Sequence, residues 1–204
     1  MNNDDEKKIN GIGKWFAVRD GRVREREREP MSRTRYITHA ALIAAVYATL
    51  TMGLAPISYG QQQIRVAEAL AILPAFTPAA IPGLFVGCAI ANTMSFFGLP
   101  DLIFGSLATL ASAQLTYAIA RLLKERAPLI NILLLPLPAV LVNAVIIGAM
   151  ISILTGMQYW IAALGVMAGQ ALSCYGLGVP LYILLKGYAR VYGSIRHKLL
   201  FKRR

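Results

Sequence analysis

Tyr59-Gly60-Gln61-Gln62-Gln63-Ile64-Arg65-Val66-Ala67-Glu68-Ala69-Leu70 is a short polar stretch between two long apolar segments. It holds Arg65 and Glu68, two of the three charged residues between Tyr36 and Ala120; the third, Asp101, follows the turn-forming Gly98-Leu99-Pro100. Whether this stretch is a loop or the start of a membrane crossing decides the fold. The rest of the chain makes that a membrane question. Hydrophobic residues make up 56% and charged residues 15% of the 204, against about 25% charged in soluble domains. The charges are also segregated. Residues 1–36 carry 10 of the 21 Lys/Arg and 7 of the 10 Asp/Glu, whereas residues 127–185 carry none. An uncharged run of that length accommodates two spans of about 20 residues each. The composition therefore predicts an all-α, polytopic membrane protein.

Outward from the stretch, the segments fall in order. Residues 1–35 form a charged N-terminal extension in which Arg24-Glu25-Arg26-Glu27-Arg28-Glu29 alternates in sign; with little apolar surface to bury, it reads as a cytoplasmic tail. The first apolar segment begins near Ile37 and continues past 20 residues, so no cleavable signal peptide is expected. A first span over 36–57 carries Ala40, Ala44 and Ala48 at four-residue spacing, with Ala41 and Ala45 alongside. Small residues so spaced let helix backbones approach closely, either within the chain or against another subunit. A short helix follows over 63–76. A third span, 78–97, carries the stripe Ala79, Gly83, Gly87, Ala91, with Asn92 near its end. A fourth covers 102–120. A fifth covers 129–154, entered through Pro136 and Pro138, and a sixth covers 160–185. The membrane domain is thus 36–188, followed by a basic tail, 189–204. Tyr159 and Trp160 stand where interfacial aromatic belts form.

Parity favours reading the short helix as a crossing, while its length of roughly 14 residues also fits a re-entrant segment. Five long spans would put the two basic ends on opposite faces, whereas positively charged flanks belong in the cytoplasm. Counting 63–76 as a crossing gives six helices, places both termini and the basic loop at 121–126 inside, and leaves Arg65 as the sole outer Lys/Arg of the 21. The expectation is a six-helix transmembrane bundle with a short second helix.

Within that bundle, charge in apolar sequence marks a functional site. Arg65 and Glu68, three residues apart, share a helix face. Either they pair with each other, or they face a solute, with Glu68 accepting hydrogen bonds and Arg65 offering a planar donor set. Tyr59 and Gln63 flank the approach with Gln61 and Gln62. Asn92, Asn143 and Gln170 are polar groups inside spans, and each needs a partner in another helix or in a ligand. Stacking surfaces for a ring are available from Tyr59, Phe96, Phe97, Tyr159, Trp160 and Tyr175.

Other function classes find no residues to carry them. The net charge of +11 follows membrane orientation and not a nucleic-acid face. His39 and His197 are far apart, and no His/Cys/Asp/Glu group has metal-ligand spacing, so neither a metal, a cofactor nor a catalytic set is expected. Cys88 and Cys174 lie in apolar segments and read as small buried hydrophobes. The chain has no phosphate-binding loop, so uphill transport would draw its energy from another subunit.

Several runs are similar to the QueT family: Leu54-Ala55-Pro56-Ile57-Ser58-Tyr59-Gly60 followed by Ile64-Arg65-Val66-Ala67-Glu68-Ala69-Leu70; Leu73-Pro74-Ala75-Phe76-Thr77-Pro78 through Cys88; Asp101 with Phe104-Gly105-Ser106-Leu107-Ala108-Thr109-Leu110; and Leu141-Val142-Asn143-Ala144. The resemblance covers about residues 36–185. It implies a substrate-binding S component of an energy-coupling-factor (ECF) importer, with the six-helix fold of that class, in the plasma membrane. The implied ligand is a deazaguanine base, a queuosine precursor. The implied partners are a transmembrane coupling subunit and two cytoplasmic ATPases, with an alanine stripe of the first helix (Ala40, Ala44 and Ala48, or Ala41 and Ala45) against the coupling subunit. Where the family often carries Glu, this chain has Gln170, which can hydrogen-bond a ligand but cannot neutralise an amine. The charged extension is not a family feature. Two other readings stay open: an S component for another vitamin or purine, and a self-sufficient oligomeric channel or facilitator.

Overall fold

The computed structural model describes residues 31–55, 65–123 and 128–188. Tyr59 and Gln63, the charged extension and the basic tail lie outside the described residues. By its contacts the chain divides at Tyr36/Ile37, and the bundle and its site belong to the unit Ile37–Arg204.

Every regular element among the described residues is helical. Helix α1 is Arg33–Gly53. The short segment follows as a 3-10 helix, Val66–Ala75. Next come α2, Ala80–Asn92, then α3, Ser106–Leu123, entered through a π-helical turn at Asp101–Gly105. Helix α4 is Pro128–Leu134 and α5 is Leu137–Thr155. Helix α6, Tyr159–Ser173, passes through a second π-helical turn at Cys174–Gly178 and stays helical to Tyr188. Four stretches are long and apolar enough to cross a membrane: Arg33–Gly53, Asp101–Leu123, Ile130–Thr155 and Tyr159–Tyr188; Val66–Ala75 and Ala80–Asn92 are shorter apolar helices. The chain is a six-helix, all-α membrane protein.

Exposure is inverted relative to a soluble domain. Leu122 and Ile153 are each 82% exposed, while Arg65, Glu68, Asn92, Asp101, Asn143 and Gln170 are buried. Lipid solvates such outward apolar side chains, and the polar groups must be satisfied inside.

The second helix gains length by changing its winding. Its Glu68 N–H reaches the Arg65 carbonyl and the Phe76 N–H that follows reaches Leu73, both at 2.9 Å, so these bonds run from each residue to the third one before it. A 3-10 helix rises about 2.0 Å per residue against about 1.5 Å in an α-helix. Ten residues therefore reach about 20 Å instead of about 15 Å, toward a hydrocarbon core of about 30 Å. Such a run is long for this poorer geometry and is held by its neighbours: Gly178 of the second π turn brings its Cα side against the Ala69 carbonyl, where a Cβ would sit 3.2 Å from the oxygen.

Small residues close the other seams. The stripe read from the sequence, Ala79, Gly83, Gly87 and Ala91, is buried throughout α2. A Cβ on Gly83 would lie 2.8 Å from the Ala40 carbonyl, and one on Gly87 2.8 Å from the Ala44 carbonyl. The Ala40, Ala44, Ala48 line of α1 thus packs inside the chain, while Ala41 and Ala45 are exposed. Between α5 and α6, a Cβ on Gly148 would lie 2.7 Å from the Ala163 Cα.

The fifth span is broken at Leu135-Pro136 into α4 and α5. Pro136 and Pro138 have no N–H to continue the ladder. The Leu135 carbonyl instead accepts from Thr116 Oγ1 of α3 at 3.1 Å. The third span ends at Asn92, short of its expected end. Thr93 Oγ1 turns back onto the Ile90 carbonyl, and Gly98 takes a left-handed φ of 60° that reverses the chain toward α3.

Candidate functional site

Antiparallel threading brings the end of α1, the start of the 3-10 helix, the end of α2 and the entry to α3 together. Arg65 sits just before the 3-10 helix with an extended backbone, φ −88° and ψ 101°. Its guanidinium does not turn toward Glu68. Nη2 donates to both oxygens of Asp101, at 3.0 and 2.8 Å, and the Arg65 and Asp101 side chains are 2% and 0% exposed. The reading in which Arg65 and Glu68 pair with each other is thereby replaced: the counter-charge of Arg65 lies 36 residues away. Asp101 is no exposed turn residue; its carboxylate also accepts from Ser95 Oγ at 2.5 Å.

The surrounding groups hold this pair in place. Asn92 Nδ2 donates to the Asp101 carbonyl at 2.8 Å. Cys88 Sγ receives Thr109 Oγ1 at 3.2 Å and lies 3.8 Å from Arg65 Nη1. Gly105 must be glycine for the cluster to close. A Cβ there would stand 2.5 Å from Asn92 Nδ2 and 2.9 Å from Asp101 Oδ1.

Glu68, in the first turn of the 3-10 helix, is buried beside this cluster. Oε1 accepts from the Tyr47 hydroxyl of α1 at 2.6 Å. Oε2 has no partner among the described residues, and neither do Arg65 Nε, Asn92 Oδ1, Ser106 Oγ and Ser173 Oγ. A buried polar atom without a partner costs about 1–3 kcal/mol, more when charged. Of these, Arg65 Nε, Glu68 Oε2 and Asn92 Oδ1 belong to the cluster itself, as donor and acceptors with no partner among the described residues.

The remaining expected site residues are placed differently. Gln170 is buried in α6, where Oε1 lies 3.8 Å from Cys174 Sγ, and that thiol in turn reaches the Glu68 carbonyl at 3.5 Å. Asn143 is buried in α5 and donates to the Ala139 carbonyl of its own helix at 2.8 Å. Ala139 and Val140 pack with Ala71 and Cys174, one turn away. The structure therefore brings Arg65, Glu68 and Asn92 to one cluster, sets Gln170 against the same helix through Cys174, and leaves Asn143 bonded within α5. Of the aromatics, Phe96 and Trp160 face outward, and the Tyr175 hydroxyl donates to the Leu133 carbonyl.

Two residues were not singled out for this site from sequence. Asp101 carried a signal, as the third charge in an apolar stretch, but its turn context pointed outward. Tyr47 carried none; nothing in its spacing links it to Glu68.

Four long apolar helices around a buried charged cluster define a multi-pass membrane protein. The family model described as QueT transporter matches residues 37–187, so the chain belongs to the QueT transporter family. A curated relative, the queuosine precursor transporter QueT of Lactococcus lactis subsp. cremoris (strain MG1363), is 42% identical over 86 residues, covering 41% of this chain and 50% of that protein. The alignment thus spans about half the relative's length. No solved structure matches.

Proposed function

We propose that the chain is the substrate-binding S component of an ATP-driven ECF importer that takes up a queuosine precursor, a deazaguanine base. The observation that carries this reading is Glu68: a buried carboxylate with one oxygen held by Tyr47 and the other without a partner among the described residues. A deazaguanine presents N–H donors along one edge, and a carboxylate accepts such donors as Glu and Asp do from base amino groups. Asn92 Oδ1 and Arg65 Nε supply a further acceptor and donor, and Gln170, linked to the Glu68 backbone through Cys174, adds an amide. The relative's name supports the ligand class.

Partner subunits hydrolyse ATP; the chain itself is not an enzyme. Since the Ala40, Ala44, Ala48 line meets α2, the exposed Ala41 and Ala45 stripe is the one that docks on the coupling subunit. The protein lies in the plasma membrane with both termini cytoplasmic, as parity and the basic flanks require. Affinity purification of the full chain from its native membrane tests the assignment. Recovery with a coupling subunit and ATPases, and uptake only with ATP, is expected. Flux through the isolated chain in liposomes would instead establish a self-sufficient facilitator.

A further inference from the structure

We propose that the end of the bundle opposite the Arg65–Asp101 cluster carries a second binding site, a small pocket that holds the phosphate of an anionic phospholipid headgroup. This site is independent of what Glu68 binds.

The pocket forms where several helix ends meet. Phe76 follows the 3-10 helix, Ala120 is near the end of α3, Asn131 lies in α4 with Leu135 at the break after it, and Tyr182 and Lys186 lie at the end of α6; these residues line a cavity of about 90 Å³. One water needs about 10–15 Å³, so there is room for a tetrahedral oxyanion. The ten residues Val66–Ala75 separate the pocket from Arg65, a distance of about 20 Å at about 2.0 Å per residue.

Its polar groups are donors. Lys186 Nζ donates to the Tyr182 hydroxyl at 3.3 Å and stands 5.5 Å from the centre of that ring, which leaves two of its N–H bonds to place. Phe76 braces the same ring, with centroids 5.4 Å apart. The buried Tyr182 hydroxyl accepts from Lys186 and keeps its own proton to donate. Asn131 is only 5% exposed. The Leu135 N–H takes its backbone carbonyl at 3.0 Å, but its side-chain amide makes no hydrogen bond to a described residue. A buried amide needs a partner. The described carboxylates cannot answer this set of donors, because Glu68 and Asp101 both lie in the cluster at the other end. The sequence beside the pocket adds positive charge, with Arg121, Lys124 and Arg126 against one acid, Glu125. An ammonium, a hydroxyl and an amide converging without a described counter-ion make an anion site, and lysine binds phosphate as a point charge.

The surroundings favour a lipid as the source of that phosphate. Leu133 on α4, and Ile183 and Leu184 on α6, are exposed apolar side chains on the same two helices that supply Asn131 and Lys186. They offer acyl chains a surface beside the pocket, from which a soluble phosphate would gain nothing. Basic pockets between membrane helices hold anionic headgroups in this way.

The test is native mass spectrometry of the purified full-length protein in detergent, titrated with phosphatidylglycerol, phosphatidylcholine or diacylglycerol. One saturable phosphatidylglycerol adduct is expected, with affinity about tenfold above that of the other two lipids, as a charge-assisted bond provides. Lys186→Gln and Asn131→Leu should each remove most of that preference, and Lys186→Arg should retain it. Melting curves supply the second arm: phosphatidylglycerol should raise the melting temperature of the unmodified protein and not that of Lys186→Gln, and inorganic phosphate should raise neither. Equal affinity for phosphatidylglycerol and phosphatidylcholine, or a preference that survives both Lys186→Gln and Asn131→Leu, overturns the site. A Lys186-dependent shift with inorganic phosphate that phosphatidylglycerol does not reproduce overturns the lipid as its source.

Discussion

Removing one hydroxyl, by Tyr47→Phe, isolates the bond on which the site turns. The ring is fully buried and phenylalanine fills the same space, so no cavity term enters. What is lost is the 2.6 Å bond to Glu68 Oε1, after which the carboxylate has no side-chain donor among the described residues. A hydrogen bond to a charged group contributes about 1.5–3 kcal/mol. For a chain of this length, 1 kcal/mol shifts the melting temperature by about 2–4 °C, so the ligand-free protein should melt about 3–12 °C lower. A ligand that donates to Glu68 replaces part of what was lost. Saturating deazaguanine should therefore raise the variant's melting temperature by more than it raises that of the unmodified protein. The assay is intrinsic-fluorescence melting in detergent, with and without ligand. An unchanged melting temperature in the ligand-free variant would refute the claim that Tyr47 holds an otherwise unpartnered carboxylate.

Other consequences follow from the packing. Gly105→Ala places a methyl group 2.5 Å from Asn92 Nδ2; overpacking of this kind costs about 1–3 kcal/mol and should weaken ligand affinity as well as lower the melting temperature. Thr116→Val strips the Leu135 carbonyl of its donor at the α4–α5 break and should cost about 1–3 kcal/mol of stability with ligand affinity unchanged, read by the same melts and titrations. Ala41→Trp with Ala45→Trp should leave binding intact and abolish uptake in cells, whereas Gly87→Leu, which drives a side chain into the Ala44 backbone, should prevent folding, read as loss of the monodisperse peak in size-exclusion chromatography.

Much of the fold was legible because lipid imposes simple rules. Uncharged runs mark spans and the Gly83 and Gly87 stripe marks close packing, each through a local property of the chain, whereas the break at Leu135-Pro136 reads from sequence as the entry to a single fifth span. The special status of Arg65 and Glu68 was legible for the same reason, since charge is rare in such sequence. What was not legible is which groups meet. Periodicity assigns residues to faces, and Arg65 and Glu68 do share one. It does not say that the guanidinium crosses to Asp101, because that choice depends on where α2 ends and how Gly98 turns the chain. The same limit applies to the two alanine stripes of α1: their spacing is identical, and only the position of α2 decides which is buried. The 3-10 winding was foreshadowed by a segment too short for its task, while the two π turns had no signal beyond the nearby glycines and prolines.

The most direct test of the central claim is the affinity of the purified chain for a deazaguanine, measured before and after Glu68→Ala, with the fold monitored by melting. Saturable binding that disappears in a variant still able to fold is the predicted result. Unchanged affinity in Glu68→Ala would contradict the account, because the base would then be read by other groups.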